Sequence, residues 1–182
     1  MSLQLIRLTD TSSAGFRFAE KLLTASFPED EYRDLGEWRL FTAGARPEFH
    51  NMLIADDNLN VGILTWWDFG SWRYIEHFAV DPALRDRGYG ALALSLFRSM
   101  SAAPVALEVE TPADSLSRRR IEFYRRAGFR LLPDSYTQPA YRRGGNCVEM
   151  RIMTTAGEAE TPGFSEIERT LRRRVYSATD GI

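Results

Sequence analysis

One cysteine, two histidines and no unbroken apolar stretch approaching the length of a membrane span set the first limits on this 182-residue chain. A lone Cys147 cannot close an internal disulfide, and with His50 and His77 far apart in sequence it offers no Cys/His pattern for zinc. The apolar runs fall well short of the ~20 residues that cross a bilayer, and residues 1–8 are too short and polar for a signal peptide. Excess charge is missing as well. The 23 Lys and Arg nearly balance 25 Asp and Glu, so a net charge of −2 exerts no global pull on nucleic acid, although arginines cluster at 118–120, 142–143 and 172–174. These shortages predict a cytoplasmic, metal-free protein that binds neither membrane nor nucleic acid. A hydrophobic share of 44% beside 26% charged residues is enough to fill the core of one globular domain, and excludes a disordered chain.

The pattern of apolar residues divides the chain into elements. Leu3 to Leu8 reads as a strand, and Ser12 or Ser13 can cap a helix running to about Ser26, with Phe16, Ala19, Leu22 and Leu23 on its inner face. After Phe27-Pro28, the acidic run Glu29-Asp30-Glu31 predicts the start of a second helix reaching Phe41. Residues 49–55 and 61–68 flank a turn-rich loop and read as a hairpin, followed by a strand over 72–80. The order then changes to helix (88–100), strand (105–110), helix (116–127), strand (129–132), a loop over 133–146, and strand (148–153). Hairpins first and crossovers second predict an α/β (α+β) fold: a mixed, mostly antiparallel sheet of six to seven strands with helices on both faces. Residues 1–154 form the expected domain and 155–163 a linker. Residues 164–182 form a C-terminal amphipathic helix, opened by a capping box at Ser165 and Glu168, with a stripe of Ile167, Leu171 and Val175 that needs a covering surface. That surface could lie on this chain, on a second copy in a homodimer, or on another partner.

Gly88-Tyr89-Gly90-Ala91 is the most informative stretch. Glycines that admit a ligand to the backbone, a helix that begins there, and Arg85 and Arg87 beside the turn together describe an anion site, most often for phosphate. Gly88-x-Gly90-x-x-Ala93 with Glu108 twenty residues on also satisfies the dinucleotide fingerprint. Against that reading, the long loop over 81–87 replaces a tight turn, and too little chain follows residue 105 to complete a doubly wound sheet.

Residues 74–90, and within them Arg85-x-x-Gly88-x-Gly90, resemble the acyl-CoA-binding motif of the GNAT superfamily of N-acetyltransferases. Ile121-Glu122-Phe123-Tyr124-Arg125-Arg126-Ala127-Gly128-Phe129 is similar to that family's tyrosine-bearing helix and the Gly-Phe turn after it. The resemblance covers about residues 3–153 and implies an acetyl-CoA-dependent N-acetyltransferase acting by direct transfer. It implies that the backbone of Arg85, Asp86, Arg87, Gly88, Tyr89, Gly90 and Ala91 cradles the pyrophosphate. It also implies that Phe78, Ala79 and Val80 pair with the pantetheine arm beside a bulge. Ser117 stands where the family often has asparagine against that arm. A module that binds acyl-CoA without turnover, as a sensor or docking subunit, is the alternative.

The chemistry sets two further requirements. An alkylammonium of pKa about 10.4 is only about 0.1% neutral near pH 7.4, so a base or water chain is useful. The resemblance points to Glu76 for that role, with Glu108 and Glu110, which share one face of their strand, as orienting or structural carboxylates. The departing thiolate benefits from a donor, and Tyr124 holds the family position. Strand alternation sends His77 to the face opposite Glu76, as a packed or hydrogen-bonding residue. Glu29, Asp30 and Glu31 favour a cationic amine acceptor, and Trp66, Trp67, Trp72, Tyr136 and Tyr141 could give it an aromatic face.

Overall fold

In the computed structural model, which describes residues 2–158 and 160–176, the chain divides into two compact units, Met1–Ala103 and Pro104–Ile182. Residues 177–182, the end of the expected tail, lie outside the described residues. The fold is α/β with mostly antiparallel strands. Eight strands are described, one or two more than the spacing predicts, because the loop after residue 132 contains a short strand of its own.

The first unit lays β1 (Leu3–Leu8), β2 (Phe49–Asp56), β3 (Leu59–Asp68) and β4 (Arg73–Val80) side by side, each antiparallel to the next. Helix α1 (Ala14–Ser26) starts where the Ser13 hydroxyl accepts the Phe16 amide at 3.1 Å, and buries Phe16, Ala19, Leu22 and Leu23 as their spacing requires. The second helix does not begin at the acidic run. Glu29–Glu31 forms a single 3-10 turn. Helix α2 (Leu35–Leu40) opens later, where the Asp34 carboxylate accepts the amides of Gly36 and Glu37. A side-chain cap at residue 34 decides the boundary over the dipole preference of three acidic residues, since it satisfies two otherwise orphan N–H groups.

Between β3 and β4 the register slips. Thr65 faces His77 and Trp66 faces Ile75, which leaves Glu76 as the extra residue of a bulge. The bulge cancels the expected alternation: Glu76 Oε2 lies 3.9 Å from His77 Nδ1, on the same side of the strand. Beyond it the two strands close up, and a side chain at Gly62 would strike the carbonyl of Ala79.

Helix α3 (Tyr89–Ser99) completes this unit and is held at its C-terminal end by buried Arg73 of β4. That guanidinium donates to the carbonyls of Phe97 and Ser101 at 2.9 Å each and lies 4.4 Å from the Phe97 ring centroid.

In the second unit β8 (Val148–Thr154) is the organising strand, antiparallel to β5 (Val105–Glu110), β6 (Arg130–Leu131) and β7 (Tyr136–Gln138). Helix α4 (Ser115–Arg126) carries the capping box that the sequence places elsewhere. Asp114 accepts the Ser117 amide while Ser117 Oγ accepts the Asp114 amide. Ser165 and Glu168 form no such box. Helix α5 (Phe164–Thr170) starts from Gly163 without a side-chain cap and continues into a wider π-type turn, Leu171–Tyr176.

The expected linker is tied down, with Thr155 N bonded to Val105 O and Arg130 donating to the carbonyls of Ala156 and Gly157. The apolar stripe finds its cover in the chain itself. Ile167, Leu171 and Val175 are fully buried in the single chain, so a second copy is not needed to shield them. Among the described residues no helix is long and apolar enough to cross a membrane.

Candidate active site

The loop from β4 to α3 bends twice into left-handed conformation, at Asp86 (φ 61°) and at Gly88 (φ 81°), the N-cap of α3. Gly88 needs that geometry, since a side-chain-bearing residue adopts it only at a cost. The space where its side chain would stand is open. The amides of Tyr89, Gly90 and Ala91 fall in the first helical turn, where no preceding carbonyl accepts them, and Arg85, Asp86 and Arg87 are exposed around them. N–H groups without helical partners at a positive helix end, with two exposed arginines beside them in the chain, suit an anion such as a pyrophosphate.

Tyr89 is the exception in this solvent-facing loop. Its ring is buried, and its hydroxyl donates to Asp56 Oδ2 at 2.9 Å, while Asp56 Oδ1 accepts the Ser2 amide at 2.6 Å. That contact anchors the N-terminal end of α3 as Arg73 anchors its C-terminal end. Phe78, Ala79 and Val80 stand opposite Leu64, Ile63 and Gly62, past the bulge.

Glu76 is not an open carboxylate. Its side chain is fully buried and paired with Arg33, whose guanidinium is itself fully buried. Trp67 Nε1 donates to the other carboxylate oxygen at 3.2 Å. Arg33 sits 4.8 Å from the Phe41 centroid, 5.4 Å from that of Trp67 and 5.9 Å from that of Phe49, and also meets Glu37 at 3.4 Å. Burial alone would raise the Glu76 carboxyl, but the Arg33 charge and the bonds from Arg33 and Trp67 outweigh it and hold the group below its ordinary range. A carboxylate so satisfied is a weak proton acceptor, which argues against the base role implied by the resemblance.

His77 is equally engaged. Its Nε2 is 2.9 Å from the Glu31 carbonyl and its Nδ1 3.0 Å from Thr65 Oγ1. The carbonyl can only accept, so Nε2 carries the proton and Nδ1 accepts from the hydroxyl. Burial lowers its pKa, outweighing the pull of Glu76, and the ring stays neutral. The pair Arg33–Glu76 and the bond from His77 to Glu31 therefore pin the 29–33 segment onto the bulge. Trp66, Trp67 and Trp72 are core residues, at 6%, 0% and 2% exposure, and not an open aromatic wall.

In the second unit Tyr124 is buried on α4, edge-on to Phe123 and Phe129. Burial pushes its hydroxyl up to about 12, with Arg120 opposing and Glu110 reinforcing the shift. Arg120 and Glu110 pair with each other. Ser117 is buried in the capping box, and a side-chain contact from it to pantetheine would have to break that cap. Glu108 meets a tyrosine cluster: Tyr176 Oη donates to its Oε2 at 2.5 Å, and the Tyr141 ring packs edge-on to Tyr176 at 4.9 Å. The Tyr136 hydroxyl is pushed far up by burial and then by the negative charge of Glu108. Arg33, Asp56 and Tyr176 carry no sequence signal for these contacts, since each partner lies at least 33 residues away along the chain.

An acyl-CoA-dependent transferase is the class these features define. A GNAT acetyltransferase domain model matches residues 48–131. A GNAT-family protein from Bacteroides thetaiotaomicron is 38% identical over 97% of this chain and 98% of its own, with a TM-score of 0.87. Arabidopsis thaliana Naa50, solved with the bisubstrate analogue CoA-Ac-MVNAL, is 18% identical over 86% of this chain and all of its own, TM-score 0.63. A GNAT acetyltransferase from Elizabethkingia anophelis with acetyl-CoA bound is 15% identical over 86% of this chain and 99% of its own, TM-score 0.58. A search of the curated proteins finds no significant match. The chain belongs to the GNAT family and is an acetyl-CoA-dependent acetyltransferase.

Proposed function

We propose that the enzyme moves the acetyl group of acetyl-CoA directly to a primary amine of a small molecule or peptide. The doubly left-handed loop at Asp86 and Gly88, opening into the first turn of α3, is the observation that carries the acetyl-CoA end of this reading. The backbone of Arg85 to Ala91 would hold the pyrophosphate and Phe78 to Val80 the pantetheine amides. The likeness to a plant enzyme solved with an analogue that joins CoA to a peptide supports an amine acceptor.

In the reaction the neutral amine nitrogen attacks the thioester carbonyl, a C–N bond forms, the C–S bond breaks, nitrogen loses one proton and sulfur gains one. Tyr124, with a hydroxyl near 12, stays protonated at neutral pH. It donates a hydrogen bond to the departing sulfur, whose thiol is the stronger acid at about 8.5. The proton that ends on sulfur is then supplied by the amine or by water, and Glu76 serves to hold the 29–33 segment and not to accept it.

A panel of amines with acetyl-CoA, followed by thiol release, tests the reading, and product from no amine in the panel would overturn it. Tyr124→Phe is expected to lower kcat by about 10²-fold or more at nearly unchanged acetyl-CoA affinity, measured by steady-state kinetics beside calorimetric binding, because only a transition-state interaction is lost.

A further inference from the structure

The buried ring of His77 fastens the 29–33 segment to β4 by a bond whose direction is fixed. Thr65 Oγ1 accepts the His77 amide at 3.1 Å, which leaves the hydroxyl proton for Nδ1 at 3.0 Å and the imidazole proton on Nε2. Nε2 then donates at 2.9 Å to the carbonyl of Glu31, the last residue of the 3-10 turn Glu29–Glu31. A carbonyl at the end of a helical turn lacks a partner within it, and the ring supplies one. The Phe27 ring meets the imidazole edge-on, 4.9 Å between centroids. Glu76, next to His77 on the bulge, pairs with Arg33 of the same segment. All of these residues belong to the first unit.

The bulge is also where the chemistry falls in the proposed reaction. Pyrophosphate at residues 85–91 and pantetheine along Val80, Ala79 and Phe78 direct the thioester back along β4 toward residue 76. A segment fastened at that point borders the approach of the amine.

We propose that His77 is a positioning residue for the acceptor: its Nε2–H bond to the Glu31 carbonyl fixes the 29–33 segment as a wall of the amine site, while the ring itself touches neither substrate. The inference rests on the proposed amine acceptor and on the proposed placing of acetyl-CoA along β4. The role needs a donated bond and no charge.

The test compares wild type with His77→Gln, whose amide nitrogen can donate to the same carbonyl, and with His77→Leu, which donates nothing. In ligand-free protein, hydrogen exchange is followed at the Glu31 amide, which closes the turn on the Pro28 carbonyl at 2.9 Å. It is expected to be about tenfold faster in His77→Leu and near wild type in His77→Gln. Kinetics are then run at saturating acetyl-CoA with n-butylamine, glucosamine, alanine amide and trialanine as acceptors. His77→Leu is expected to raise KM for the preferred amine about tenfold, with kcat and the acetyl-CoA dissociation constant nearly unchanged, and His77→Gln to restore it. An unmoved KM in His77→Leu would overturn the proposal even beside faster exchange or a lower melting temperature, because the bond would then be merely structural. Equal KM losses in both variants would overturn it as well, since ring packing and not the donated bond would be responsible. A weakened acetyl-CoA affinity in step with KM counts against it in the same way. If His77→Leu does not fold, Thr65→Val carries the test. That change frees the imidazole proton to move from Nε2 to Nδ1 and is expected to raise KM in the same sense, an unchanged value sinking the idea. A wild type that acetylates none of the amines removes the functional reading and this inference with it, whereas turnover with KM unmoved in the variants removes only the inference.

Discussion

Glu76 on β4 and Glu108 on β5 are carboxylates of the two units, and they are held in different ways. Glu76 faces a guanidinium inside an aromatic cage, both side chains fully buried, so its charge is neutralised where it stands. Glu108 accepts a bond from the hydroxyl of Tyr176, on the last helix. The sequence reading gives Glu76 the role of base and Glu108 an orienting or structural one. The difference teaches that the partner of a buried carboxylate, more than its position on a strand, decides what its charge does in the fold.

The largest expected effect comes from breaking the neutralised pair. Arg33→Met leaves Glu76 buried and unpaired, and should cost about 3–5 kcal/mol in denaturant unfolding, whereas Arg33→Met with Glu76→Leu should recover most of it. A mild loss in the single variant would mean that Glu76 is less sealed than its burial indicates. The apolar counterpart in the second unit is Leu171, fully buried on the inner face of the last helix. Leu171→Ala should cost about 2–5 kcal/mol by cavity formation, read by the same titration.

Acid should expose a smaller, two-step dependence. Unfolded His77 takes a proton near 6.5 and the folded ring resists it, so its contribution is whole above that value and drains as the pH falls. Glu76, depressed in the fold from 4.5, contributes fully above 4.5 and loses its share as the pH drops through the lower folded value. Melting temperature followed from pH 8 to pH 3 should fall in that order, and His77→Gln should flatten the upper step. The smallest effect is expected at Tyr89→Phe, where the loss of one hydrogen bond of about 0.5–1.5 kcal/mol should weaken acetyl-CoA binding by up to about tenfold in calorimetry, with kcat nearly unchanged.

Much of the fold was legible because it rests on local pattern. The face of α1 follows from the spacing of Phe16, Ala19, Leu22 and Leu23, and the left-handed turn at Gly88 from glycine itself. The candidate site was legible where a backbone motif carries it, in residues 85–91, and at Tyr124 through the resemblance. It was illegible where one extra residue changes direction. The bulge at Glu76 turns that side chain and His77 to the same side, and no period-two pattern foretells a bulge. Contacts between residues far apart in sequence were hidden for the same reason: Arg33 with Glu76, Tyr89 with Asp56 and Tyr176 with Glu108 exist only once the strands have paired. The capping box assigned to Ser165 illustrates the converse, a local motif present in the letters and unused in the fold.

Asp56 gives one of its oxygens to the Tyr89 hydroxyl and the other to the amide of Ser2, and so ties the loop between β4 and α3 to the beginning of β1, the outermost strand of its unit. An outermost strand breathes more readily than those inside it. Through this one carboxylate the breathing of β1 and the opening of the loop become a shared fluctuation, so that acetyl-CoA, by quieting the loop, would slow amide exchange along the first strand of the chain.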